Sequence, residues 1–317
     1  MLQQYEPIVK MHSTNFPSRV HITDVGPRDG LQNEKQPVPT AVKIELVQRL
    51  QAAGLKDIEV TSFVSPKWVP QMADNAEVMR GIARLPDVRY TALVPNMQGL
   101  EAALAARADT VVVFGAASEA FSQKNINCSI AESIERFRPV VGAALAAGVA
   151  VRGAISCAVG CPYEGAVAPA RVAMVAGLMR EIGVQQVGVA DTIGVATPSL
   201  VQAAIEAALT HFHIDAVIGH FHDTYGQALA NTLAALEMGV WHFDTSVAGL
   251  GGCPYAKGAT GNVATEDVVY MLHGMGIETG IDLEALVDAG AYISHFLNRP
   301  SLSRAATALL AKRQRTV

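Results

Sequence analysis

Residues 215–246 read DAVIGHFHDTYGQALANTLAALEMGVWHFDTS and contain one complete strand–helix–strand unit. The apolar, β-branched run at 215–220 predicts a strand, the Ala/Leu-rich segment at 226–238 predicts a helix, and 242–246 predicts the next strand. A helix between two strands is typical of parallel sheets, because parallel strands need a long crossover connection. The stretch therefore predicts an α/β fold.

The same alternation runs through most of the chain. The predicted strands are 20–25, 57–62, 89–94, 109–114, 150–156, 185–190, 215–220 and 242–246. The predicted helices that follow them are 40–53, 72–84, 97–107, 129–147, 168–182, 198–209, 226–238 and 265–274, with further helices at 282–296 and 301–312. Eight strand-then-helix units are the number found in a (β/α)8 TIM barrel.

A doubly wound open sheet is the alternative fold. That fold normally carries a G-x-G-x-x-G fingerprint after its first strand, but residues 26–30 read GPRDG. We therefore expect one TIM-barrel catalytic domain over residues 1–317. The barrel itself is expected at about 20–280, and a C-terminal helical extension at about 282–312.

Composition excludes several classes of protein. The chain has 317 residues, half of them hydrophobic, and a formal charge of −5 without a basic block, which argues against nucleic acid as a partner. No apolar run reaches the length of a membrane-spanning helix, and residues 1–19 lack the apolar centre of a signal peptide. We expect a soluble cytoplasmic protein with no membrane partner.

Active sites of TIM barrels lie at the C-terminal ends of the strands, so polar residues there are the candidates for chemistry. At or near the predicted strand ends stand Arg28, Asp29, Glu59, Ser62, Asn96, Ser156, Cys157, Asp191, Thr192, His220, His222, Cys253 and Asn262. The similar pair His211 and His213 precedes strand 215–220, and is therefore expected at the opposite end of the barrel.

His220 and His222 are two apart at the end of a strand, so their imidazoles share one face. With Asp29 and Asn262 at the same end, they form a mixed oxygen and nitrogen ligand set without thiolate. Such a set favours a divalent metal such as Mg²⁺ or Mn²⁺, with positions left for substrate oxygens. The sequence therefore predicts a metal site of Asp29, His220, His222 and Asn262.

Four further residues complete the predicted site. Arg28 is next to the ligand Asp29, and is read either as a brace for the barrel mouth or as a clamp on developing enolate charge. Glu59 and Asp191 are expected to orient Arg28 or a histidine. Cys253, in the glycine-dense loop GLGGCPYAKG, is read either as a buried thiol or as a proton donor or acceptor.

Long motifs in the chain resemble one family, the 3-hydroxy-3-methylglutaryl-CoA lyases, which belong to the metal-dependent barrel group of isopropylmalate and homocitrate synthases. The motifs are VGPRDGLQNE at 25–34, EVTSFVSPKWVPQMAD at 59–74, KNINC at 124–128, GCPYEG at 160–165, HDTYGQALANT at 222–232 and VAGLGGCPYAKGATGNVATEDVVYML at 247–272. The R-D-G-x-Q start and the H-x-H pair are shared with the synthases, whereas the G-C-P-Y-A loop resembles the lyases.

The resemblance implies the same four metal ligands, a catalytic Arg28 and a catalytic Cys253. It implies supporting roles for Glu59 and Asp191, and places Glu266 close behind Asn262. It also implies an acyl-CoA substrate with Lys35 near the entrance. Asn298 and Arg299 are expected to contact CoA, although the next residue is Pro300 where the family has lysine. The expected products are acetyl-CoA and acetoacetate, in leucine degradation or ketone-body formation, and the expected assembly is a homodimer.

Two departures from the family pattern bear on function. The mitochondrial leader and the C-terminal redox cysteine of eukaryotic relatives are absent, which favours a bacterial-type enzyme. Gly188 stands where many relatives carry serine, and this change keeps open a lyase for a longer branched analogue. A condensing synthase of the same barrel group and a non-catalytic acyl-CoA binding protein stay open as well.

Overall fold

The computed structural model describes residues 16–252 and 261–315. Its strands are β1 (His21–Asp24), β2 (Asp57–Ser62), β3 (Arg89–Leu93), β4 (Thr110–Ala116), β5 (Ala150–Ser156), β6 (Gly160–Cys161), β7 (Gly165–Ala166), β8 (Gln186–Asp191), β9 (Val217–Phe221) and β10 (His242–Thr245). Eight of them form a closed parallel barrel in the order β1-β10-β9-β8-β5-β4-β3-β2, so the predicted TIM barrel is confirmed.

The helices surround the barrel. They are α1 (Thr40–Ala52), α2 (Asn75–Gly81), α3 (Met97–Ala105), α4 (Glu119–Ile126), α5 (Ile130–Ala146), α6 (Pro169–Glu181), α7 (Pro198–Leu209), α8 (Ala228–Glu237), α9 (Thr265–Gly274), α10 (Leu283–Phe296) and α11 (Arg304–Arg315). The C-terminal helices pack on the barrel's own helices, α10 on α1 and α9, and α11 on α9. In the described chain, no helix is long and apolar enough to span a bilayer.

The structure adds the short strands β6 and β7, which were not predicted, and departs from the prediction at two helices. Helix α4 was not predicted, because its sequence EAFSQKNI has little apolar periodicity. It is held instead by its ends: the Ser118 hydroxyl caps the N–H of Phe121, and Asn127 ends the helix with a φ of 50°. The predicted helix at 72–84 is shorter, since a 3-10 turn at Pro70–Met72 precedes α2.

The barrel separates an apolar layer from a polar interior. Outward strand residues such as Val113, Val189 and Phe243 pack with the helices in one continuous hydrophobic core. Inward residues near the barrel axis include the charged pair Arg152 and Asp244, both buried. Buried charges need partners, so the inward side chains form the network that positions the site.

Candidate metal centre and active site

The first part of the site is a π-helical turn, Gly26–Gly30, that directly follows β1. The backbone N–H of Gly30 donates to the carbonyl oxygen of Val25 at 3.2 Å and closes the π-turn, and the N–H of Asp29 donates to the same oxygen at 2.7 Å. π-Helical turns are frequent at functional sites because they redirect side chains over a short stretch. This one directs both Arg28 and Asp29 to the barrel mouth.

The two histidines lie at the end of β9. His220 is in the strand, and His222 follows it and forms an isolated antiparallel bridge with Asn262. One ligand atom each from Asp29, His220 and His222 lies within 4.8 Å of the other two. Asn262 Nδ2 donates to Oδ2 of Asp29 at 2.8 Å, although the two residues are 233 positions apart. The structure therefore brings the four predicted ligands together.

Each histidine presents a ring nitrogen to the other. Nε2 of His220 lies 3.3 Å from Nε2 of His222, while Nδ1 of His220 lies 3.3 Å from Oδ2 of Asp244. The carboxylate of Asp244 favours the tautomer of His220 with the proton on Nδ1, and in this tautomer the Nε2 lone pair faces His222. Two imidazole nitrogens that face each other in this way fit a shared cation.

An unpaired buried atom at the same place tests the fit to a metal. In the described part of the chain, Oδ1 of Asn262 is buried without a hydrogen-bond partner. A buried polar atom without a partner costs free energy unless a ligand or water satisfies it. Because the amide nitrogen of Asn262 is used by Asp29, its oxygen is the atom free to bind a cation.

The charges of the cluster suit the same ligand. Burial opposes ionisation of Asp29, but Arg28 and the two histidines outweigh it and hold the pKa of Asp29 below its ordinary value. Burial, with the charges of His220 and Arg28, lowers the pKa of His222 to about 4. An ionised carboxylate and a neutral imidazole are the forms that bind metal.

Arg28 is fixed by two carboxylates. Its Nε and Nη2 donate to the two oxygens of Glu59 at 2.8 and 3.1 Å, and its Nη1 donates to Asp29 at 2.6 Å. Only 8% of Arg28 is exposed, and these carboxylates raise its pKa despite burial. A bidentate pair of this kind holds a guanidinium in one orientation. The structure therefore places a rigid, permanent positive charge beside the predicted metal ligands.

Asp191 has a different environment from Glu59. Its oxygens accept the backbone N–H groups of Val195 and Ala196 at 3.0 and 2.9 Å. These bonds fix the loop after β8, and no hydrogen bond to Arg28 or to a histidine is seen among the described residues. The hydrogen bonds of Asp191 therefore hold its own loop, and its carboxylate also interacts electrostatically with His220; a role in orienting Arg28 or a histidine stays a prediction.

Other polar residues at the strand ends serve local structure. Asn96 accepts the N–H of Gly99 and begins α3, and the Thr192 hydroxyl accepts the N–H of Cys157 at 2.7 Å. Cys161 contacts the Ser118 hydroxyl in a small cluster away from the histidines.

At the opposite end of the barrel, His213 is exposed and pairs with Asp215 at 3.0 Å.

The predicted CoA contacts gather at one edge of the mouth. Arg299 Nη2 donates to Oε1 of Glu34 at 2.6 Å, and Lys35 next to it is exposed. Asn298 is exposed with a φ of 51° and connects α10 to this ion pair. The predicted catalytic Cys253 lies outside the described residues.

Two residues of the site were not predicted from the sequence. Asp244 contacts His220, and Arg152 Nη2 donates to Oδ1 of Asp244 at 2.6 Å. Asp244 stands two residues after His242 in a predicted strand, so period-two alternation is the signal that could have found it. Arg152 offers no such signal, because only the barrel register brings β5 and β10 side chains together.

A buried carboxyl supports the loop after β10. Both oxygens of Glu266 lie 3.0 Å from the backbone nitrogen of Ala248, and that N–H is their donor. Burial raises the pKa of Glu266 to about 8, and the nearby carboxyls of Asp24 and Asp267 add to the shift. Glu266 therefore acts on the segment that leads to Asn262, not on the histidines themselves.

The arrangement joins a cation-binding cluster to a fixed arginine. Comparisons with known proteins agree with this chemistry. A family profile described as HMGL-like matches residues 19–293. The mitochondrial hydroxymethylglutaryl-CoA lyase of Rattus norvegicus is 58% identical over 293 residues, which cover 92% of this chain and 90% of the relative. The 3-hydroxy-3-isohexenylglutaryl-CoA/hydroxy-methylglutaryl-CoA lyase of Pseudomonas aeruginosa is 59% identical, with 94% and 99% covered.

Solved structures agree with the sequence relatives. The crystal structure of hydroxymethylglutaryl-CoA lyase from Pseudomonas aeruginosa has a TM-score of 0.92 at 59% identity, covering 94% of this chain and 99% of the other. An HMG-CoA lyase from Acinetobacter baumannii, solved in complex with coenzyme A and 3-methylmalate, has a TM-score of 0.88 at 36% identity, with 92% and 95% covered. The chain belongs to the HMGL-like family.

Proposed function

We propose that this protein is a lyase that cleaves 3-hydroxy-3-methylglutaryl-CoA to acetyl-CoA and acetoacetate. The observation that carries the proposal is the gathering of Asp29, His220 and His222 within 4.8 Å, with the Arg28 guanidinium 2.6 Å from Asp29. Relatives named as this lyase are 57–59% identical over more than nine-tenths of the chain, which supports the same reaction.

Asp29, His220, His222 and Asn262 would hold a divalent cation. Their oxygen and nitrogen donors, without thiolate, suit Mg²⁺ or Mn²⁺. When bound, such a cation orients the substrate's tertiary alcohol and lowers the pKa of its hydroxyl. The unpaired Oδ1 of Asn262 and the facing imidazole nitrogens support a cation at this position.

The residues around the cluster account for the remaining steps. A base removes the hydroxyl proton, and the ionised Asp29 and the imidazoles are the bases in reach. The C–O electron pair then forms the ketone, the C–C bond breaks, and its electrons leave as the enolate of the acetyl thioester. Arg28 stabilises the enolate oxygen, because its charge is fixed in place by Glu59 before the reaction begins.

A proton must return to the enolate carbon to give acetyl-CoA, and we assign its delivery to Cys253. Both ends of the loop that carries Cys253 meet at the metal ligands. A β-carbon on Gly251 would lie 2.8 Å from Nδ2 of Asn262, and one on Gly261 would lie 2.9 Å from the nitrogen of Gly251. A loop anchored at these two glycines starts and ends beside the reacting centre.

We also assign the CoA entrance to the edge with Glu34, Lys35 and Arg299. The ion pair between Arg299 and Glu34 joins the segment after α10 to the segment after the π-helical turn. The exposed Lys35 and Asn298 flank this pair. Cationic and amide side chains in such a position suit the phosphates of CoA.

A lyase for a longer branched analogue is the second candidate. Gly188 pairs with Ile218 in register and therefore faces the barrel interior like its neighbour Ala190, which pairs with His220. A β-carbon on Gly188 would meet nothing closer than 3.7 Å, so the absent side chain leaves space below the histidines. The Pseudomonas relative is named for both an isohexenyl and a methyl substrate. The ratio of kcat/KM values on the two thioesters decides between the candidates.

The main test is acetoacetate release from 3-hydroxy-3-methylglutaryl-CoA, with and without a chelator. We expect release that the chelator stops and that added Mn²⁺ or Mg²⁺ restores. Release that is indifferent to the chelator would contradict the metal assignment. Condensation of acetyl-CoA with a 2-oxo acid would favour a synthase, and acyl-CoA binding without turnover would favour a non-catalytic protein.

The homodimer and the cytoplasmic location stay predictions. The size of the protein in solution, measured by light scattering, tests the homodimer. Fractionation of the cells that produce the protein tests its location.

A further inference from the structure

A second group of histidine and aspartate side chains lies at the opposite end of the barrel. His21, Asp57 and His242 are the first residues of β1, β2 and β10. One ligand atom from each lies within 4.8 Å of the other two. We call these three residues the floor cluster, and Asp29, His220 and His222 the mouth cluster.

Barrel closure, not sequence proximity, assembles the floor cluster. His21 and His242 are direct partners in the register of β1 and β10, and Asp57 is the partner of Thr23 in β2. β1 and β10 are the first and last strands of the barrel. The cluster therefore spans the seam at which the barrel closes.

Neighbouring hydroxyl groups orient two of the three side chains. Oδ1 of Asp57 accepts the Thr91 hydroxyl at 2.9 Å, so Oδ2 is the oxygen that faces His21, 3.6 Å from its Nε2. The Thr23 hydroxyl lies 2.8 Å from Nε2 of His242. Hydrogen bonds of this kind around a ligand group fix its orientation and raise metal affinity.

The protonation states also suit a metal ion. Burial lowers the pKa of His242 well below its ordinary value, and the charge of Arg152 adds to the effect, so its imidazole is neutral. Burial opposes ionisation of Asp57, but the hydrogen bond from His21 and the charge of Arg152 outweigh it and lower its pKa. The cluster offers an anionic carboxylate and a neutral imidazole.

Arg89 provides the positive charge that the cluster now contacts. Its Nη2 lies 3.2 Å both from Oδ2 of Asp57 and from Nε2 of His21. The side chain of Arg89 is 57% exposed, whereas that of Asp57 is 3% exposed. Nε of Arg89 also donates to Oδ2 of Asp57, at 3.3 Å. Because the guanidinium is more than half exposed, it can move into water, and an incoming metal ion then supplies the positive charge that buried Asp57 needs. Arg152, the other cation nearby, is balanced by Asp244.

We propose that the floor cluster is a second metal site, which takes a borderline divalent ion of the Zn²⁺ class when Arg89 swings out. Two imidazoles and one carboxylate with an open position are a ligand set that Zn²⁺ and Co²⁺ favour. The mouth cluster has the additional oxygen of Asn262, and ions of the Mg²⁺ class prefer oxygen ligands, so the two sites differ in selectivity. Because its ligands come from β1, β2 and β10, the bound ion cross-links the strands at which the barrel closes.

The test isolates the floor cluster by removing two mouth ligands. In a His220→Ala/His222→Ala background, Co²⁺ is titrated and followed by its visible absorption, which reports the coordination number. We expect one equivalent of Co²⁺ with the strong bands of a low-coordinate site, displaced by Zn²⁺. We also expect Zn²⁺ to raise the unfolding temperature, because an ion that binds only the folded protein stabilises it.

Two single substitutions in the same background should change Co²⁺ affinity in opposite directions. His21→Ala should abolish the Co²⁺ bands. Arg89→Ala should strengthen Co²⁺ binding, roughly tenfold or more, because the competing cation is gone. His213→Ala and Lys56→Ala are the matched controls, since each removes an exposed group of the same type from the same end of the barrel. Both controls should leave Co²⁺ binding unchanged.

Three results would overturn the proposal: no low-coordinate Co²⁺ spectrum, a spectrum that persists in the His21→Ala variant, or weaker binding in the Arg89→Ala variant. The last result would mean that Arg89 is a structural partner and not a displaceable cation. A gain of binding cannot arise from misfolding, so the Arg89 variant keeps the test decisive even if His21→Ala folds poorly.

Discussion

The mouth cluster and the floor cluster contain the same three kinds of side chain at opposite ends of one barrel. In each, an aspartate and two histidines come within 4.8 Å, and an arginine contacts the aspartate. They differ in how that arginine is held. Arg28 is buried and braced by Glu59, whereas Arg89 is mostly exposed and has no second carboxylate brace among the described residues.

The comparison indicates that the burial of an arginine decides its role beside a candidate metal site. A buried guanidinium in a bidentate pair is held in place, so Arg28 stays beside the candidate metal ligands. An exposed guanidinium can leave, so Arg89 substitutes for a cation instead of working beside one. Burial and bracing, more than residue type, separate the two roles.

The two clusters are joined through the barrel axis. Arg152 donates to Asp244 on the side of the mouth and to the Thr23 hydroxyl, at 3.2 Å, on the side of the floor. Thr23 contacts His242, and Asp244 contacts His220. One histidine of each cluster is therefore connected to Arg152 through one intervening side chain. Substitutions in this chain of contacts test whether the two clusters are independent.

The largest expected effect comes from Arg28→Gln. This change removes the fixed charge for the enolate, so kcat should fall by about 100- to 1,000-fold, the usual effect of losing one such donor. Mn²⁺ binding, measured by electron paramagnetic resonance, should persist because the four ligands remain. Arg89→Ala is the control and should keep near wild-type kcat. If Arg28→Gln kept most of its activity, the guanidinium would be only a brace.

Asp244→Asn should have the next largest effect. The amide cannot accept the Nδ1 proton of His220 as strongly, so we expect Mn²⁺ affinity to fall about 10- to 100-fold. Asp57→Asn, the corresponding change at the floor, should leave Mn²⁺ affinity unchanged. The ¹⁵N chemical shifts of His220 distinguish a change of tautomer from a loss of packing. In the folded variant they should report a changed tautomer. An unchanged tautomer would contradict this role for Asp244.

The unfolding free energy should depend on pH through Glu266, which supports the loop on the mouth side of the barrel. The pKa of Glu266, about 8 in the folded protein, lies above its ordinary value of 4.5. The protonated form therefore stabilises the fold fully below about pH 4.5, and this stabilisation is lost as pH rises through 8. The unfolding free energy should fall with pH in this window by up to about 1.4 kcal/mol per pH unit.

Chemical denaturation of Glu266→Gln between pH 5 and 9 measures this contribution. The glutamine cannot ionise, so the slope of the unfolding free energy against pH should be shallower than in wild type. Glu206→Gln, on the exposed face of α7, is the matched control and should keep the wild-type slope. Equal slopes in all three proteins would remove Glu266 as the source of alkaline sensitivity.

Thr23→Val should have the smallest effect. Thr23 lies between Arg152 and His242 in the chain of contacts that joins the two clusters. Valine has nearly the same shape but removes the hydroxyl contacts to Arg152 and His242, so we expect the unfolding free energy to fall by about 1 kcal/mol. Mn²⁺ affinity at the mouth should stay the same while Co²⁺ affinity at the floor falls. A parallel loss at both ends would mean that the two clusters form one coupled site.

Much of the mouth was predictable from local patterns. Alternation of β-branched and Ala/Leu-rich segments predicted the eight strands, and a spacing of two at the end of a strand predicted that His220 and His222 share a face. Asp29 and Asn262 could be added because parallel strands of a barrel end at one mouth. The pattern did not predict that the oxygens of Asp191 accept amides of its own loop, in addition to the electrostatic interaction of Asp191 with His220.

Arg152 and the floor cluster could not be predicted in this way, and for Asp244 the alternation indicates only that it shares a strand face with His242. Their contacts depend on which residues are level with each other around the barrel, and a shift of register by one residue would turn every side chain to the other face. The sequence carries no local record of that shear. For the same reason His21 and His242, 221 positions apart in numbering, gave no sign that they are neighbours.

The sequence by itself determined the succession of strands and helices, the mouth at which the polar residues gather, and the paired histidines, because these follow from periodicities within a few residues. Only the tertiary structure decided the partner of each charge. The pairing of β9 with β10 gives His220 its carboxylate, because Asp244 and His220 are partners in register. Barrel closure sets β10 against β1. It also assembles a second His/Asp cluster from three strand starts. Pairings of that kind depend on distances across the barrel, which no local stretch of sequence encodes.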